Sequence, residues 1–313
     1  RLADLQAELA REGMWTPLVS PWAAATVGGM VAANFNAPLR MRYGNVRDIM
    51  LAGTVVLPDG RTIRAGRPVV KNVAGYDLPK LFVGSYGTLG LLTDVSLKLA
   101  PLPRARASLI VPVDSVSQGM RWGRDLLRVC LVASALVLCS GRCVSRVPAP
   151  FALIYTAEGV PEDVAAEMAQ VEAVLRASGA HPSRPGDAPS GSELWAEWLG
   201  AAGPEPIVRA GVAPKDMARL VAAVVTAAER PSSAADRPSF AADLASGQLF
   251  TRGVPVETAR AAAVSLGGYA VVVRGEAGES DRWGYRPQSL DLMAALKRRL
   301  DPAGLFNPGA FLV

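Results

Sequence analysis

Hydrophobic and polar residues alternate most regularly between residues 91 and 99. Leucine, threonine and valine occupy the odd positions, and aspartate, serine and lysine follow at positions 94, 96 and 98. This period of two predicts a β-strand, which we expect to be buried. The segment before it, residues 84–90, contains three glycines and two small hydroxyl side chains. Such a loop lets a ligand approach the backbone and its N–H groups, and the strand would hold it rigidly.

The first part of the chain predicts a helix over residues 2–12 that stops at Gly13. Further on, the pair Gly28 and Gly29 precedes a run of small residues, which predicts a second helix with N–H groups open to an anion. A tight turn before a close-packed helix is the alternative, and a glycine pair alone favours it.

A hairpin follows the second predicted helix. Residues 49–57 and 62–65 read as strands, and the turn signal Pro-Asp-Gly-Arg separates them. A helix-like piece then leads into residues 84–90. The first 103 residues therefore predict an α+β domain with two glycine loops that could converge on one extended ligand.

Strands and helices alternate through the predicted second domain, residues 104–284. The predicted strands are 107–112, 134–139, 151–156, 207–212, 240–250 and 269–274, and the predicted helices are 115–129 with Asp114 as N-cap, 161–178, 193–199 and 214–229. Residues 107–178 and 207–274 echo each other, which predicts a ferredoxin-like α+β domain. Trp195 and Trp198 are three residues apart, as on a packed helix face.

The last predicted segment, residues 285–313, contains a helix over 289–300. Leu292, Leu296 and Leu300 recur every four residues on it. Lys297 and two arginines occupy its last turn, where positive charge complements the helix dipole.

Composition excludes several classes of protein. The chain has 313 residues, 50% of them hydrophobic and 19% charged, so we expect a folded protein. Its net charge of +5 is scattered along the chain, and this argues against nucleic-acid binding. The longest apolar run, residues 126–139, is interrupted by Arg128 and is shorter than the ~20 residues that a membrane span needs.

Cysteine and histidine give no metal site. Cys130, Cys139 and Cys143 lack the C-x-x-C spacing, and His181 is the only histidine. An odd number of cysteines without such spacing is typical of reduced thiols in a cytoplasmic protein.

Four segments in this order resemble one family. They read ATVGGMVAAN, RYGNVRDIMLAGTVVLPDGRTIRAG, KNVAGYDLPKLFVGSYGTLGLLTDVSLKLAPLP and LDPAGLFNPGAF. Together they resemble the flavin oxidases of the vanillyl-alcohol-oxidase (VAO) and p-cresol-methylhydroxylase (PCMH) type, and within these the FAD-binding subunits of bacterial glycolate oxidase complexes. The resemblance implies a two-domain PCMH-type fold with a ferredoxin-like second domain, whose first glycine-rich loop would precede Arg1.

The resemblance also implies non-covalently bound FAD, extended along the first domain. Carried over to this sequence, the cofactor contacts would be Thr26, Gly28 and Gly29 at the diphosphate or flavin, Gly84, Ser85, Gly87, Thr88 and Gly90 along the path from adenine to flavin, Leu91 through its main chain, and Asn307 near the ring. These are glycine, hydroxyl and amide positions on loops, which suit a ligand rich in phosphate and carbonyl groups.

Members of the family that oxidise 2-hydroxy acids carry a histidine-rich motif, which a chain with only His181 lacks. The resemblance therefore implies a subunit that works with a catalytic flavoprotein, where the 2-hydroxy acid would bind, and with an iron–sulfur subunit. It would be cytoplasmic and reach the inner face of the membrane only through those partners. A flavin-free docking subunit and a self-sufficient D-lactate-type dehydrogenase remain open as alternatives.

No catalytic residue is predicted. Lys71, Tyr76 and Asp77 could face a flavin or substrate, although packing for the tyrosine and helix capping for the aspartate explain them as well. Arg209 and Arg274 could meet a substrate carboxylate, but solvated or salt-bridged arginines are the commoner case on strands.

Overall fold

Both ends of the sequence contribute to one unit of the structure. In this computed structural model, unit 1 comprises residues 1–37, 43–102 and 286–313, and unit 2 comprises residues 38–42 and 103–285. The structure describes residues 1–69, 77–140, 147, 149–186, 188–227, 239–276 and 281–313. Lys71, Tyr76 and Cys143 lie outside the described residues, as does the start of the helix-like piece before residue 84.

Unit 1 is built on a three-stranded antiparallel sheet. Its helices and strands are α1 (Leu2–Arg11), β1 (Met14–Trp15), α2 (Val27–Ala33), α4 (Val46–Ile49), β2 (Met50–Val56), β3 (Thr62–Gly66), α5 (Pro79–Phe82), β4 (Leu91–Leu97), β5 (Ala100–Pro101) and α11 (Leu290–Leu300), while α3 (Arg40–Tyr43) is cut by the unit boundary. The strands lie in the order β3-β2-β4, and β1 pairs with β5. The predicted hairpin is β2 and β3, and α2 begins before the glycine pair and includes it.

A small core under β2 joins the two ends of the chain. Val55, Phe82 and Leu89 are buried there, and Leu296 and Leu300 of α11 pack against them. The predicted leucine stripe of α11 is thus correct for Leu296 and Leu300. It is wrong for Leu292, which is 71% exposed.

The prediction that residues 91–99 form a buried strand is wrong in one respect. The strand exists as β4, but it lies at the edge of its sheet and Leu91 is 55% exposed. Alternation predicts which residues share a face of a strand, whereas burial also requires another element to cover that face.

Unit 2 is organised around a seven-stranded antiparallel sheet. Its elements are β6 (Ala105–Val113), α6 (Val116–Leu127), β7 (Ala133–Ser140), β8 (Phe151–Gly159), α7 (Pro161–Ala177), α8 (Gly191–Gly200), β9 (Ile207–Gly211), α9 (Met217–Ala227), β10 (Ser239–Asp243), β11 (Gln248–Arg252), α10 (Val256–Val264) and β12 (Tyr269–Arg274). The strand order is β12-β9-β11-β10-β7-β8-β6. Ser115 caps α6 by accepting from the N–H of Gln118, so the prediction of Asp114 as the cap is wrong by one residue.

The predicted ferredoxin-like echo is confirmed by this strand order. The second half, β9-α9-β10-β11-α10-β12, is a complete βαββαβ unit with spatial order 4-1-3-2. The first half repeats the order 1-3-2 with β6, β8 and β7. In the described part of this half, a bridge between Ile110 and Ser183 takes the place of a fourth strand. The two halves join edge to edge where β7 pairs with β10.

The main core of unit 2 lies on one face of this sheet. Leu109, Leu138 and Phe240 point from the strands towards buried residues of α7 and α9, such as Met168 and Leu220. Helix α8 packs on the opposite face, because a Cβ at Gly191 would lie 3.0 Å from the Cβ of Ala135. Trp195 and Trp198 of α8 are 2% and 5% exposed, as expected for a packed helix face. Among the described residues, no helix combines the length and apolar character that crossing a bilayer requires.

The predicted strand 240–250 is in fact a hairpin, β10 and β11. Asp243 makes the turn because its carboxylate accepts from Ser246 Oγ, from the N–H of Ala245 at 3.1 Å and from the N–H of Ser246 at 3.3 Å. Gly247 follows in the left-handed conformation, with φ +72°. Asp243 is 4% exposed. Burial raises its pKa to about 6, although the hydrogen bonds from Ser246 and Ala245 and the charge of Arg40 oppose the rise.

This buried carboxylate should make unit 2 less stable as pH rises from about 4 to about 6. The folded state holds the Asp243 proton more tightly than the unfolded state, whose pKa is near 3.8. That stabilisation is complete below pH 4 and is lost as pH rises through the folded pKa. Asp243→Asn should remove the effect, so the variant should gain about 3 kcal/mol relative to the parent between pH 4 and pH 7. Urea denaturation followed by tryptophan fluorescence measures this, with the exposed Asp114→Asn as control. If the difference in free energy of unfolding between the Asp243→Asn variant and the parent is the same at pH 4 and pH 7, the prediction is contradicted.

Candidate functional site

The glycine loop, residues 84–90, is attached to the end of helix α2. The N–H of Gly84 donates to the carbonyl of Val31 at 3.1 Å, and the N–H of Tyr86 donates to that of Ala32 at 2.8 Å. Carbonyls at a helix C-terminus lack the usual partner four residues on, and here the loop donates to two of them. The carbonyl of Val31 also accepts from the N–H of the C-cap residue Asn34 at 3.1 Å. The position of the loop is therefore fixed by α2.

Positive φ angles shape the glycine loop. Gly84 and Gly87 have φ +81° and +71°, and Tyr86 has φ +54°, which is uncommon for a residue with a side chain. Gly90 is needed for a different reason, because a Cβ there would lie 2.6 Å from Cγ1 of Val55 on β2.

The two predicted hydroxyl contacts point into the loop. Ser85 Oγ donates to the carbonyl of Phe82 at 2.9 Å, and Thr88 Oγ1 donates to the carbonyl of Ser85 at 2.7 Å. Both residues are buried. In this conformation their hydroxyls hold the backbone of the loop, which leaves the peptide groups and glycine surfaces to meet a ligand.

The terminal tail, residues 301–313, lies against the glycine loop. Asn307 Nδ2 donates to the carbonyl of Tyr86 at 2.6 Å. The ring of Phe311 stacks on the ring of Tyr86, with centroids 5.4 Å apart and planes inclined by 16°. A Cβ built at Gly87 would lie 3.7 Å from Nδ2 of Asn307. The structure thus brings Asn307 together with the glycine loop.

A buried ion pair holds the tail in this place. Lys297 Nζ lies 2.5 Å from Oδ2 of Asp301, and it also donates to the carbonyl of Thr88 at 2.7 Å and to that of Phe306 at 3.0 Å. Asp301 accepts from the N–H groups of Leu305 and Phe306 at 3.0 and 2.8 Å. Burial alone would raise the pKa of Asp301, but the hydrogen bonds from Lys297 and these two N–H groups outweigh it and lower the pKa to about 2.

The sequence did not predict this role for Lys297 or Asp301. In the sequence, the lysine is explained by the dipole of α11, and Asp301 follows the last predicted helical residue. Their spacing of four residues was the available signal.

The other predicted glycine segment lies at the opposite end of α2. Thr26 caps the helix, because its Oγ1 accepts from the N–H of Gly29 at 3.0 Å. The N–H groups of Val27 and Gly28 have no acceptor among the described residues. No atom lies within 4 Å of a Cβ built at Gly28, so this side of the helix is open.

The two glycine segments that were predicted to contact one extended ligand thus lie at the two ends of one helix. Helix α2 has seven residues, and at 1.5 Å per residue it separates them by about 10 Å. Leu91 continues from the glycine loop as the first residue of β4, opposite Val56.

The remaining candidates have structural contacts. Arg274 Nη2 donates to the carbonyl of Ala201 at 2.9 Å and its Nη1 to that of Leu199 at 3.4 Å, at the C-terminus of α8. Arg209 lies 6.0 Å from the centroid of the Tyr269 ring. Asp77 is exposed, and α5 has no side-chain cap.

Among the residues that the structure describes, no group of three histidine, cysteine or acidic side chains is placed to hold a metal ion. Cys130 and Cys139 are free thiols.

Two segments of the chain match protein-family models. Residues 1–66 match an FAD binding domain, and residues 282–311 match the C-terminal domain of the FAD linked oxidases. Both descriptions name FAD, which confirms the predicted cofactor and the predicted resemblance to flavin oxidases.

Curated relatives match over about a third of the chain. Glycolate oxidase subunit GlcE of Escherichia coli (strain K12) is 46% identical over 110 residues, which are 34% of this chain and 31% of that protein. D-lactate dehydrogenase of Anaerostipes hadrus is 40% identical over 115 residues, 37% of this chain and 24% of the relative. The matched region therefore spans about a third or less of the length of these relatives.

Solved structures match over almost the whole chain. p-Cresol methylhydroxylase superposes with a TM-score of 0.67 at 16% identity, over 96% of this chain and 71% of that one. A VAO-type flavoprotein of Myceliophthora thermophila C1 superposes with a TM-score of 0.64 at 14% identity, over 97% of this chain and 64% of that one. Such low identities support a conclusion about the fold alone, and the predicted PCMH-type fold is confirmed.

The contact between the tail and the glycine loop can be tested through Asp301. Asp301→Asn removes the charge that compensates Lys297, so the free energy of unfolding should fall by about 2 kcal/mol or more. Amide hydrogens of Leu305 and Phe306 should exchange faster. In the parent, this contribution should be present above pH 4 and lost as pH falls towards 2, because the folded pKa is below the ordinary 3.8.

Asp291→Asn is the matched control, since Asp291 is exposed in the first turn of the same helix. It should cost less than about 1 kcal/mol. Equal effects of the two substitutions would show that the ion pair does not hold the tail.

Proposed function

We propose that this chain is the FAD-binding subunit of a 2-hydroxy-acid oxidoreductase complex of the glycolate oxidase kind. The observation that carries the proposal is the contact between the tail and the glycine loop. The tail lies in the segment that matches the C-terminal domain of the FAD linked oxidases. The glycine loop is bonded to α2, which lies in the segment that matches an FAD binding domain, so the contact links the two matched segments within unit 1. The relative GlcE, a glycolate oxidase subunit, supports the substrate class.

The residues at the start of α2 fit a phosphate-bearing cofactor. Gly28 leaves open space where a Cβ would stand, and the N–H groups of Val27 and Gly28 have no acceptor among the described residues. Such N–H groups donate well to phosphate oxygens, and the helix dipole adds to the attraction. We propose Thr26, Gly28 and Gly29 as the diphosphate contacts, with Thr26 acting by fixing the conformation of the turn.

The glycine loop is proposed as the second contact region. Gly84, Gly87 and Gly90 allow its close backbone path, and Leu91 continues it into β4. Ser85 and Thr88 belong to this region as supports of the loop, since the hydroxyl of Ser85 bonds the carbonyl of Phe82 at the end of α5 and that of Thr88 bonds the carbonyl of Ser85. Asn307 is proposed to keep the loop and the tail together beside the flavin.

FAD, when bound, supplies the reversible redox chemistry of such a complex. The residues described above bind and orient, and none of them is placed as a general base. We propose that substrate oxidation takes place with a catalytic flavoprotein subunit and that electrons pass on to an iron–sulfur subunit, in the cytoplasm at the inner face of the membrane. The division of labour follows from the scarcity of histidine, because His181 is an exposed loop residue of unit 2.

Two other functions remain as alternatives. The relative D-lactate dehydrogenase of Anaerostipes hadrus favours a chain that oxidises its substrate unaided. The inward hydroxyls of Ser85 and Thr88 favour a subunit that keeps the fold for docking without flavin.

Substitutions at Gly28 should separate cofactor binding from stability. Gly28→Glu places a carboxylate in the first turn of α2, where it should stabilise the helix and repel a diphosphate. We expect FAD affinity to fall by about tenfold or more while the free energy of unfolding stays equal or rises. Titration followed by flavin fluorescence measures the affinity.

Ala7→Glu is the matched control, because Ala7 is exposed on α1 and receives the same charge. It should leave FAD affinity unchanged. Undiminished binding by the Gly28→Glu variant would reject the proposed diphosphate position, and the absence of saturable FAD binding by the parent chain would favour the docking subunit.

Turnover experiments test the division of labour. With FAD bound and a redox dye as acceptor, the isolated chain should not oxidise glycolate or D-lactate, because we find no general base in the described part of the candidate site. Adding a catalytic flavoprotein subunit and an iron–sulfur subunit should give turnover. Rapid dye reduction by the isolated chain would instead favour the self-sufficient D-lactate-type dehydrogenase.

A further inference from the structure

Unit 2 contains a cavity of about 260 Å³ that the proposed function does not use. It lies between helix α6, the start of α9 and the turn after β10. Met120, Met217 and Leu244 form an apolar floor, and Arg124, Lys215 and Ala218 stand around it. The three floor residues are buried. The volume is just below the roughly 300 Å³ at which small-molecule pockets usually begin, so a ligand here would be small.

Glycines on α6 create the floor of this cavity. A Cβ at Gly123 would lie 2.3 Å from Cδ1 of Leu244, and a Cβ at Gly119 would lie 2.6 Å from Cδ1 of Leu138. The two glycines are four residues apart, so they lie on one side of the helix and let it approach the sheet closely. Leu244 can therefore reach under α6 and meet the two methionines, whose flexible thioethers adapt to varied apolar shapes.

The rim of the cavity carries positive charge. Arg124 and Lys215 are both exposed, and neither forms an ion pair with any of the described residues. The carboxylates next to them have other partners: Asp125 lies 3.8 Å from Arg128, and Asp216 lies 3.5 Å from Arg219. Two cations thus stand over an apolar floor without a local counter-ion.

We propose that this cavity binds a small amphipathic anion, an aliphatic chain that ends in a carboxylate. The chain would lie on the methionine and leucine floor and remove its apolar surface from water. The carboxylate would accept charge-assisted hydrogen bonds from Arg124 and Lys215. The cavity residues belong to unit 2, whereas the glycine loop and α2 belong to unit 1, and the proposal does not depend on FAD.

Calorimetric titration of the full chain with octanoate tests the proposal. We expect saturable binding to one site. Octylamine has the same chain with a cationic head and should bind much more weakly, because both rim charges repel it. Equal binding of the two compounds, or no saturable heat with octanoate, would overturn the proposal.

Variants locate the site. The double substitution Arg124→Ala and Lys215→Ala should weaken octanoate binding by about tenfold or more. Arg121→Ala is the control, since Arg121 is an exposed cation on the same helix outside the cavity lining, and it should change nothing. Ala218→Phe should fill the cavity and abolish binding. Because these residues are exposed, circular dichroism should show unchanged folding; binding unaffected by both the double variant and Ala218→Phe would place octanoate elsewhere.

Vesicles of phosphatidylglycerol distinguish a free ligand from a membrane surface. The proposal predicts that octanoate binds to the cavity whether or not vesicles are present. Binding to vesicles without any binding of octanoate would contradict it and identify the rim as a membrane contact.

Discussion

The candidate site depends on one buried ion pair, between Lys297 and Asp301. Taking two charges out of water is unfavourable, and such a pair is stable only when its remaining donors and acceptors are also satisfied. Here the three protons of the lysine ammonium meet Asp301 and the carbonyls of Thr88 and Phe306. The carboxylate in turn accepts two N–H groups of the tail. The end of α11, the tail and the glycine loop are therefore positioned by a single set of hydrogen bonds.

This arrangement shows what kind of chemistry the site can support. The hydroxyls of Ser85 and Thr88 are used within the loop, and the amide of Asn307 is used on Tyr86. What remains for a ligand is mainly backbone N–H groups and glycine surface, at the two ends of α2. Groups of this kind bind and orient phosphate and carbonyl groups, but they do not transfer protons at neutral pH. That inventory fits the proposal of a region that binds and orients a cofactor.

Local patterns of the sequence predicted much of the fold. The repeat of strands and helices predicted the ferredoxin-like halves of unit 2, and the Pro-Asp-Gly-Arg turn predicted the β2–β3 hairpin. These features depend on short-range chemistry, which can be read from neighbouring residues. Other features depend on tertiary context. Leu91 is exposed because no element in the described part of the chain covers it at the edge of the sheet. The hairpin within residues 240–250 forms because the carboxylate of Asp243 bonds to the turn.

The candidate site was harder to predict because it, too, depends on contacts between residues that are distant in the sequence. Glycines mark places where a backbone needs unusual angles or close contacts, so residues 84–90 could be recognised. The glycine pattern does not reveal that Gly90 serves packing against Val55, or that the hydroxyls turn inward. The ion pair joins residues of α11 to a loop distant in sequence, and a spacing of four along one helix does not specify its tertiary partner.

The contact between Lys297 and Thr88 also constrains the order in which the protein can be completed during synthesis. These residues are 209 positions apart, whereas unit 2 is formed almost entirely by the continuous segment 103–285. At about 5 to 20 residues per second, a ribosome takes roughly 10 to 40 seconds to add the chain that separates them. During that time the glycine loop lacks its partner, and unit 2 can fold before it. Unit 1 is thus completed only after unit 2 has been synthesised, and its candidate cofactor region waits for residues 301–313.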